Sequence, residues 1–183
     1  EDNKIKGLLV VSLDANEQFC SDHRCCEKCL SREVVCKDAQ GNEVKKTQYY
    51  HKQIYAQLSG PSLSTILDIE PMRPAEEECV AALRLLRRMR QKYGPRFFDL
   101  VVVDAWYTNG PFLKTVAEEL GWPVVAVLKQ ERRDLYQEAL ALTAGQPTQV
   151  VERGEGPNQR QVEIWDVPAL RFSDTYTDPV RVV

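Results

Sequence analysis

Asp14 and Asp104 each follow an apolar run, I-K-G-L-L-V-V-S-L before the first and F-F-D-L-V-V-V before the second. An aspartate leaving the end of a buried strand is rigidly placed yet free of the core. Two such carboxylates brought side by side repel each other unless a cation neutralises them, and oxygen-only ligands select a hard ion, Mg²⁺ or Mn²⁺. Ions held in that way activate a water or a 3'-hydroxyl and stabilise the leaving oxygen of a phosphodiester. Aspartate after a strand is also ordinary turn chemistry, so the pair has meaning only where the fold brings the two strand ends together.

A second set of donors is concentrated early in the chain. Cys20, His23, Cys25, Cys26 and Cys29 fall within ten residues, and Cys36 follows. Cys26-x-x-Cys29 has the spacing that lets two thiolates bind one zinc ion. Further ligands would come from His51 in Y-Y-H together with Cys25, His23, Cys20 or Cys36. Five of the six cysteines lie between Cys20 and Cys36, whereas disulfide frameworks spread their cysteines to staple distant loops. Structural zinc, reduced thiols packed without metal and a disulfide all stay open. A cysteine nucleophile is unsupported, because it needs a base held beside it and the chain has only two histidines.

The elements that must position these groups can be read from periodicity. Residues 4–13 predict a core strand ending at Asp14. The cysteine segment as far as Cys36 has no helical period and predicts a loop or knuckle. D-A-Q-G-N, Asp38 to Asn42, is turn chemistry, followed by an alternating strand through T-Q-Y-Y-H-K-Q-I-Y-A-Q-L and a third strand from Ser64 to Glu70. A helix runs from Pro74 to Gly94 with its glutamates at the positive end. F-F-D-L-V-V-V-D-A and W-P-V-V-A-V-L-K read as strands buried on both faces. Between them lies a helix capped by Asn109 or Gly110, and after them a helix to Thr143. Beyond Gly145 the chain is β-rich, with a hairpin around G-E-G-P-N and a last strand in D-P-V-R-V-V. The order is three meandering antiparallel strands, then helix, strand, helix, strand, helix: a mixed α/β sheet, as in ribonuclease H-like nucleases. Residues 1–144 are expected to form the core with its knuckle at 20–36, and 145–183 a β-rich extension.

With 183 residues, 43% hydrophobic, 28% charged and a net charge of −3, the chain is a soluble globular domain with no bulk attraction for nucleic acid. Any such binding must come from local patches. R-L-L-R-R-M-R-Q-K, from Arg84, is one, read first as a solvated helix face. Lys129, Arg132 and Arg133 are the other, placed by the end of a strand where phosphate contact is reasonable. No run is long enough for a membrane span and E-D-N-K-I-K is not a signal peptide, so the expected location is the cytoplasm.

In order, L-D-A-N-E-Q-F-C-S-D-H-R-C-C-E-K-C-L, Y-Y-H-K-Q, L-D-I-E-P-M-R-P-A-E-E-E-C, V-V-V-D-A-W-Y-T-N-G-P-F and V-V-A-V-L-K-Q-E-R-R-D-L resemble bacterial insertion-sequence transposases of the DDE type. The resemblance covers roughly Leu9 to Leu142. It implies a ribonuclease H-like fold that cuts and rejoins DNA at transposon ends with Mg²⁺ or Mn²⁺, as a homo-oligomer in the full-length protein. Asp14 would be the first acid and Asp104 the second. Ala15 stands where many relatives have glycine. The resemblance makes 145–183 the start of a β-rich insertion subdomain, and the third acid of such enzymes is a glutamate on a helix after it, expected here beyond Val183, so that a fragment with two acids would bind metal weakly and turn over poorly. The relatives often carry C-x-x-C followed by Y-Y-H, which singles out Cys26, Cys29 and His51 and leaves Cys25 as a candidate fourth ligand. Two rivals stand beside this reading. One is a nuclease complete in this chain, with Glu131 or Glu138 as last acid; the other is a non-catalytic, zinc-stabilised DNA-binding or assembly module. Packing over the sheet end is expected of Trp106 and Tyr107, a surface or capping role of Glu70, and core positions of Cys79 and Trp165.

Overall fold

The computed structural model describes residues 3–129, 134–154 and 156–183. Four antiparallel-paired strands come first: β1 (Val10–Ser21), β2 (Leu30–Lys37), β3 (Glu43–Ser59) and β4 (Thr65–Pro71). They are followed by α1 (Glu78–Tyr93), β5 (Leu100–Val103), α2 (Gly110–Lys114), β6 (Val124–Ala126) and α3 (Asp134–Leu142). The chain then forms β7 (Gln149–Arg153), β8 (Arg160–Ile164), β9 (Val167–Leu170) and β10 (Val180–Val182).

The main sheet has the order β2-β3-β1-β5-β6, with β4 also on β3. Strand β3 is long enough to hold two partners on one edge. Its outer half, residues 43–50, pairs with β2 and its inner half, residues 53–58, pairs with β4. On the other edge β1 accompanies it from Val10↔Ser59 to Ser21↔Tyr49. β5 is parallel to β1 and β6 parallel to β5. The class is therefore mixed α/β.

The core lies on one face of this sheet. Val11 and Leu13 of β1, Ile54 and Ala56 of β3 and Val101 and Val103 of β5 face Ala81, Ala82, Leu85, Leu86 and Met89 of α1. Successive strand residues point to opposite faces, so Ser12 and Asp14 of β1 and Tyr55 of β3 occupy the other. Helix α1 is stopped by Gly94, whose φ of 82° is a left-handed position that a side chain would strain. Trp122 and Phe98 close the far end with ring centroids 4.3 Å apart, and the indole N–H donates to the Pro95 carbonyl at 2.9 Å.

Several sequence expectations are corrected. The first strand does not end at Asp14. It continues to Ser21 because β3 offers six more register partners beyond Asp14↔Tyr55. The cysteine segment is not loop throughout, since Cys20 lies in β1 and Cys36 in β2, and the meander has four strands rather than three. Helix α1 starts at Glu78, four residues after Pro74, and its buried stripe is Ala81, Ala82, Leu85, Leu86 and Met89. Cys79 only borders that stripe, half-buried. The turn at 38–42, the Asn109 cap and the hairpin formed by β7 and β8 are as read.

Two further charged groups differ from expectation. Glu70 is buried, 7% exposed, and accepts from Arg84 Nε at 2.5 Å and from Arg88. The basic face of α1 is likewise not free: Arg84 also reaches Glu76, Arg88 forks onto Asp68 at 3.0 and 3.1 Å, and Arg87 meets Glu119. The pairs to Asp68 and Glu70 clamp α1 to β4, and Glu76 in the connection between them joins the same network. The Arg88 guanidinium beside Asp68, and Arg84 beside Glu76, hold both carboxyls below their ordinary range.

After α3 the chain is β-rich, as expected. Leu170 of β9 packs on Leu135 and Ala139 of α3, and Phe172 and Tyr176 reach the main core. Asp166 lies between β8 and β9 and pairs with Arg181 of β10. Trp165 is half-buried, its indole N–H donating to the Gly145 carbonyl at 3.4 Å. Among the described residues no helix is long and apolar enough to cross a membrane.

Candidate metal centre and carboxylate pair

Strands β1 and β2 lie on opposite edges of β3, so residues 22–29, which join them, must cross over a face of β3. The crossing falls at Tyr49–His51, because β1 ends at Ser21↔Tyr49 and β2 begins at Leu30↔Tyr50. His51 rises from β3 beneath this crossing and meets Cys26 and Cys29. Its Nε2 is 3.4 Å from each sulfur, and the two sulfurs are 3.6 Å apart.

Those distances match a metal site better than a packing contact. Zinc bonds of about 2.3 Å to sulfur and about 2.0 Å to nitrogen, arranged tetrahedrally, put two sulfurs about 3.8 Å apart and sulfur about 3.5 Å from nitrogen. Among the described residues this is the one group of three or more His, Cys, Asp or Glu side chains whose ligand atoms converge in this way. The Cys29 amide donates to the Cys26 carbonyl at 3.1 Å and closes the intervening turn. The Lys28 amide, followed by the Cys29 thiol, pulls the Cys26 thiol below its ordinary value. At Cys29 the amide of Cys26 lowers the thiol, but desolvation and the adjacent Cys26 sulfur outweigh it and leave it raised.

The other expected ligands lie elsewhere. Cys20 is in register with Tyr50 on the α1 side of the sheet, beside Arg32 at 3.9 Å, whereas His51 faces the opposite side with Phe19. Cys36 sits towards the far end of β2, its thiol on the Val44 carbonyl at 3.6 Å. His23 is exposed and paired with Asp22 at 3.2 Å. Cys25 adjoins the group, but its thiol donates to the Cys26 carbonyl at 3.5 Å and is outside the converging set.

The carboxylates form a second candidate. The parallel register of β1 and β5 runs Val10↔Leu100, Val11↔Val101, Ser12↔Val102. Continued two residues past this last pair, the register would align Asp14 with Asp104, which follows the end of β5. Both are exposed, and alternation puts both on the face opposite α1. Each is braced by its own backbone, Asp14 accepting from the Ala15 amide at 2.8 Å and Asp104 from the Trp106 amide at 2.9 Å. Among the described residues no third acid joins them in a converging group.

His51 and Tyr55 share a face of β3, and Asp14 is the register partner of Tyr55. Four strand residues span about 13 Å, so the cysteine crossing and the acid pair occupy one surface at roughly that separation. Lys129 is exposed just past β6. Arg132, Arg133 and Glu131 lie outside the described residues. Asp134 and Glu138 are exposed on α3, whose buried residues are Leu135 and Ala139. Trp106 is 62% exposed and does not pack over the sheet end, whereas Tyr107 is fully buried. Burial, with Glu78 beside it, pushes the Tyr107 hydroxyl well above its ordinary range.

Sequence reading missed the Lys52 ammonium, 2.5 Å from Glu78 at the start of α1. It also missed a cleft of about 1040 Å³ between β6, α3 and the strands β8–β10, lined mainly by apolar groups such as Val125, Val127 and Leu140. The strand read as buried on both faces is not: Val125 of β6 and Val127 just past it are exposed towards this cleft. No protein-family model matches the chain, and no curated protein and no solved structure is significantly similar to it.

Proposed function

We propose that this chain is part of the catalytic domain of a DNA transposase of ribonuclease H-like architecture, with two of its three acids. In this reading Asp14 and Asp104 bind divalent metal at a phosphodiester, and Cys26, Cys29 and His51 hold a structural zinc. The observation that carries it is the parallel β1/β5 register, which, extended two residues beyond Ser12↔Val102, would align the two exposed aspartates. The sheet order supports the fold assignment, because β1, β3 and β4 are antiparallel and β5 and β6 run parallel to β1. The donor chemistry fits as well: two carboxylates offer only oxygen, the preference of Mg²⁺ and Mn²⁺, while two thiols and an imidazole suit zinc.

Asp14 and Asp104 would hold the divalent ion, which would supply activation of a water or 3'-hydroxyl and stabilisation of the leaving oxygen. The chain's own contribution is placement. The core behind Leu13 and Val103 fixes the strand ends, the amides of Ala15 and Trp106 orient the carboxylates, and exposed Lys129 offers a cation to the DNA backbone. The basic face of α1 is committed to Asp68, Glu70 and Glu76 and has no part in the DNA contact.

Mn²⁺ titration of the full chain, followed by paramagnetic relaxation, tests the reading. The expected result is one saturable site that weakens at least tenfold in both Asp14→Asn and Asp104→Asn with melting temperature unchanged. Equal Mn²⁺ affinity in wild type and both variants would sink it. Mn²⁺-dependent nicking of DNA by this chain, abolished by Asp14→Asn, would favour the complete nuclease. Salt-sensitive DNA binding without any Mn²⁺ site would favour the zinc-stabilised binding module.

A further inference from the structure

Among the described residues three donors converge at the cysteine crossing, and a tetrahedral ion takes four. We infer that the metal held by Cys26, Cys29 and His51 keeps one coordination position for a ligand from solution, with a thiolate as its best-matched donor. The inference rests on the zinc reading above and extends it, since a closed structural site would take all four ligands from the chain.

The in-chain candidates for a fourth ligand are each engaged or misdirected. Cys20 points to the α1 face, where Arg32 reaches it. Cys36 contacts the carbonyl of Val44, six register positions along β3 from Tyr50. His23 is drawn to Asp22, which also faces Lys46 at 3.7 Å. Cys25 is the nearest thiol, but it stands against the Cys26 carbonyl, which already accepts from the Cys29 amide that closes the chelating turn. Bringing Cys25 to the ion would require successive residues to present their side chains to the same point, and that would pull the Cys26 carbonyl out of the turn.

Accessibility points the same way. Cys26 is exposed while Cys29 and His51 are half-buried, so the tripod is embedded on the β3 side and faces solvent on the other. With two thiolates and one imidazole, the ion is soft enough to prefer sulfur over water at the remaining position. A donor arriving there would bind on the sheet face that carries Asp14 and Asp104.

Cobalt substitution of the full chain provides the test, with β-mercaptoethanol as the probe. After reductant is removed, Co²⁺ is expected to give thiolate-to-metal charge-transfer bands for two sulfurs. Adding β-mercaptoethanol should then raise their intensity by about half, as three thiolates replace two, and do so saturably. Cys25→Ser should behave identically. Three outcomes would overturn the inference: a wild-type spectrum already at three thiolates and indifferent to the probe, a two-thiolate spectrum that the probe leaves unchanged, or one whose sulfur count rises with protein concentration because another copy supplies the donor. Failure of the underlying zinc reading looks different, since then no charge-transfer band appears at all.

Discussion

The inner and outer halves of the same two strands obey different physics. Between Val11 and Leu13 on β1 and between Ile54 and Ala56 on β3, the core-facing side chains are at most 3% exposed and pack on Leu85, Leu86 and Met89. Beyond Glu17 the strands are open on both faces, and Leu30 is the one apolar side chain of β2 or of the outer segments of β1 and β3 that is buried. What holds the outer half is polar. Arg32 forks onto Glu17 at 2.6 and 3.0 Å and lies over Tyr50 at 4.6 Å on one face, while Cys26, Cys29 and His51 converge on the other. A two-stranded hairpin without a core is marginal in water. The inner half is thus specified first by burial, whereas the outer half, where the candidate metal site lies, needs a cross-link to be equally well defined.

The largest expected effect breaks the inner half. Ile54→Ala removes a fully buried side chain at the centre of the sheet, and such truncations cost about 3–4 kcal/mol. For a chain of this length that lowers the melting temperature by about 10 °C, readable by calorimetry. A drop of only a degree or two would mean that the inner core does not carry the fold. Next comes the cross-link. At a free zinc concentration of 100 times its dissociation constant, linkage predicts about 2.7 kcal/mol of stabilisation, and His51→Ala should abolish it. Hydrogen exchange should localise the loss to residues 19–37 and 43–51, with 54–58 and 81–89 still protected. Uniform deprotection would show that the two halves unfold as one unit.

That division also explains what could be read in the sequence. The inner strands, the parallel pair and α1 announce themselves through apolar runs and a helical period, so their order was legible. The continuation of β1 to Ser21 was not, because A-N-E-Q-F-C-S has no buried face to impose alternation; its pairing is dictated by the length of β3. Strand β2 was hidden for the same reason, its residues after Leu30 being exposed or half-buried. Cys26 and Cys29 were legible as a ligand pair through their spacing, whereas His51 was one of several open candidates that only the family resemblance singled out. Their meeting depends on the crossing over β3, which only the strand order reveals. Glu70 was misread because a carboxylate looks like surface until the two arginines a helical turn apart, Arg84 and Arg88, are seen to face it. The level placement of Asp14 and Asp104 depends on register, which the sequence pattern leaves open.

The clamp between α1 and β4 sharpens the comparison from the inner side, because there charged groups reinforce a core rather than replace one. Glu76→Gln removes charge-assisted bonds from Arg84 and should cost about 1–2 kcal/mol. The sign of the pH effect follows from the lowered carboxyls of Glu76 and Asp68. A carboxyl whose folded-state value is depressed adds stability that is intact above its unfolded value, near pH 4, and that fades as pH falls through the folded value. Urea midpoints should therefore stay flat from pH 7 to about 5 and fall below about 4, less steeply in Glu76→Gln. An equal acid slope in both proteins would remove Glu76 from the clamp.

The smallest effect belongs to the outer half. Arg32 and Glu17 are each more than a third exposed, and exposed ion pairs contribute about 0.2–1 kcal/mol. Arg32→Ala should therefore leave the global melting temperature nearly unchanged, while added salt should weaken the wild-type pair towards the variant. Arg32→Lys separates charge from shape: lysine keeps the charge but loses the fork to Glu17 and the planar contact with Tyr50. If the fork orders the outer strands, exchange of the Glu17–Ser21 amides should be as fast in Arg32→Lys as in Arg32→Ala without zinc. Saturating zinc should then slow it in both variants, because the metal ties residues 26–29 to β3 from the opposite face. Protection that stays lost with zinc bound would mean that Arg32, not the metal site, is the principal cross-link of the outer half.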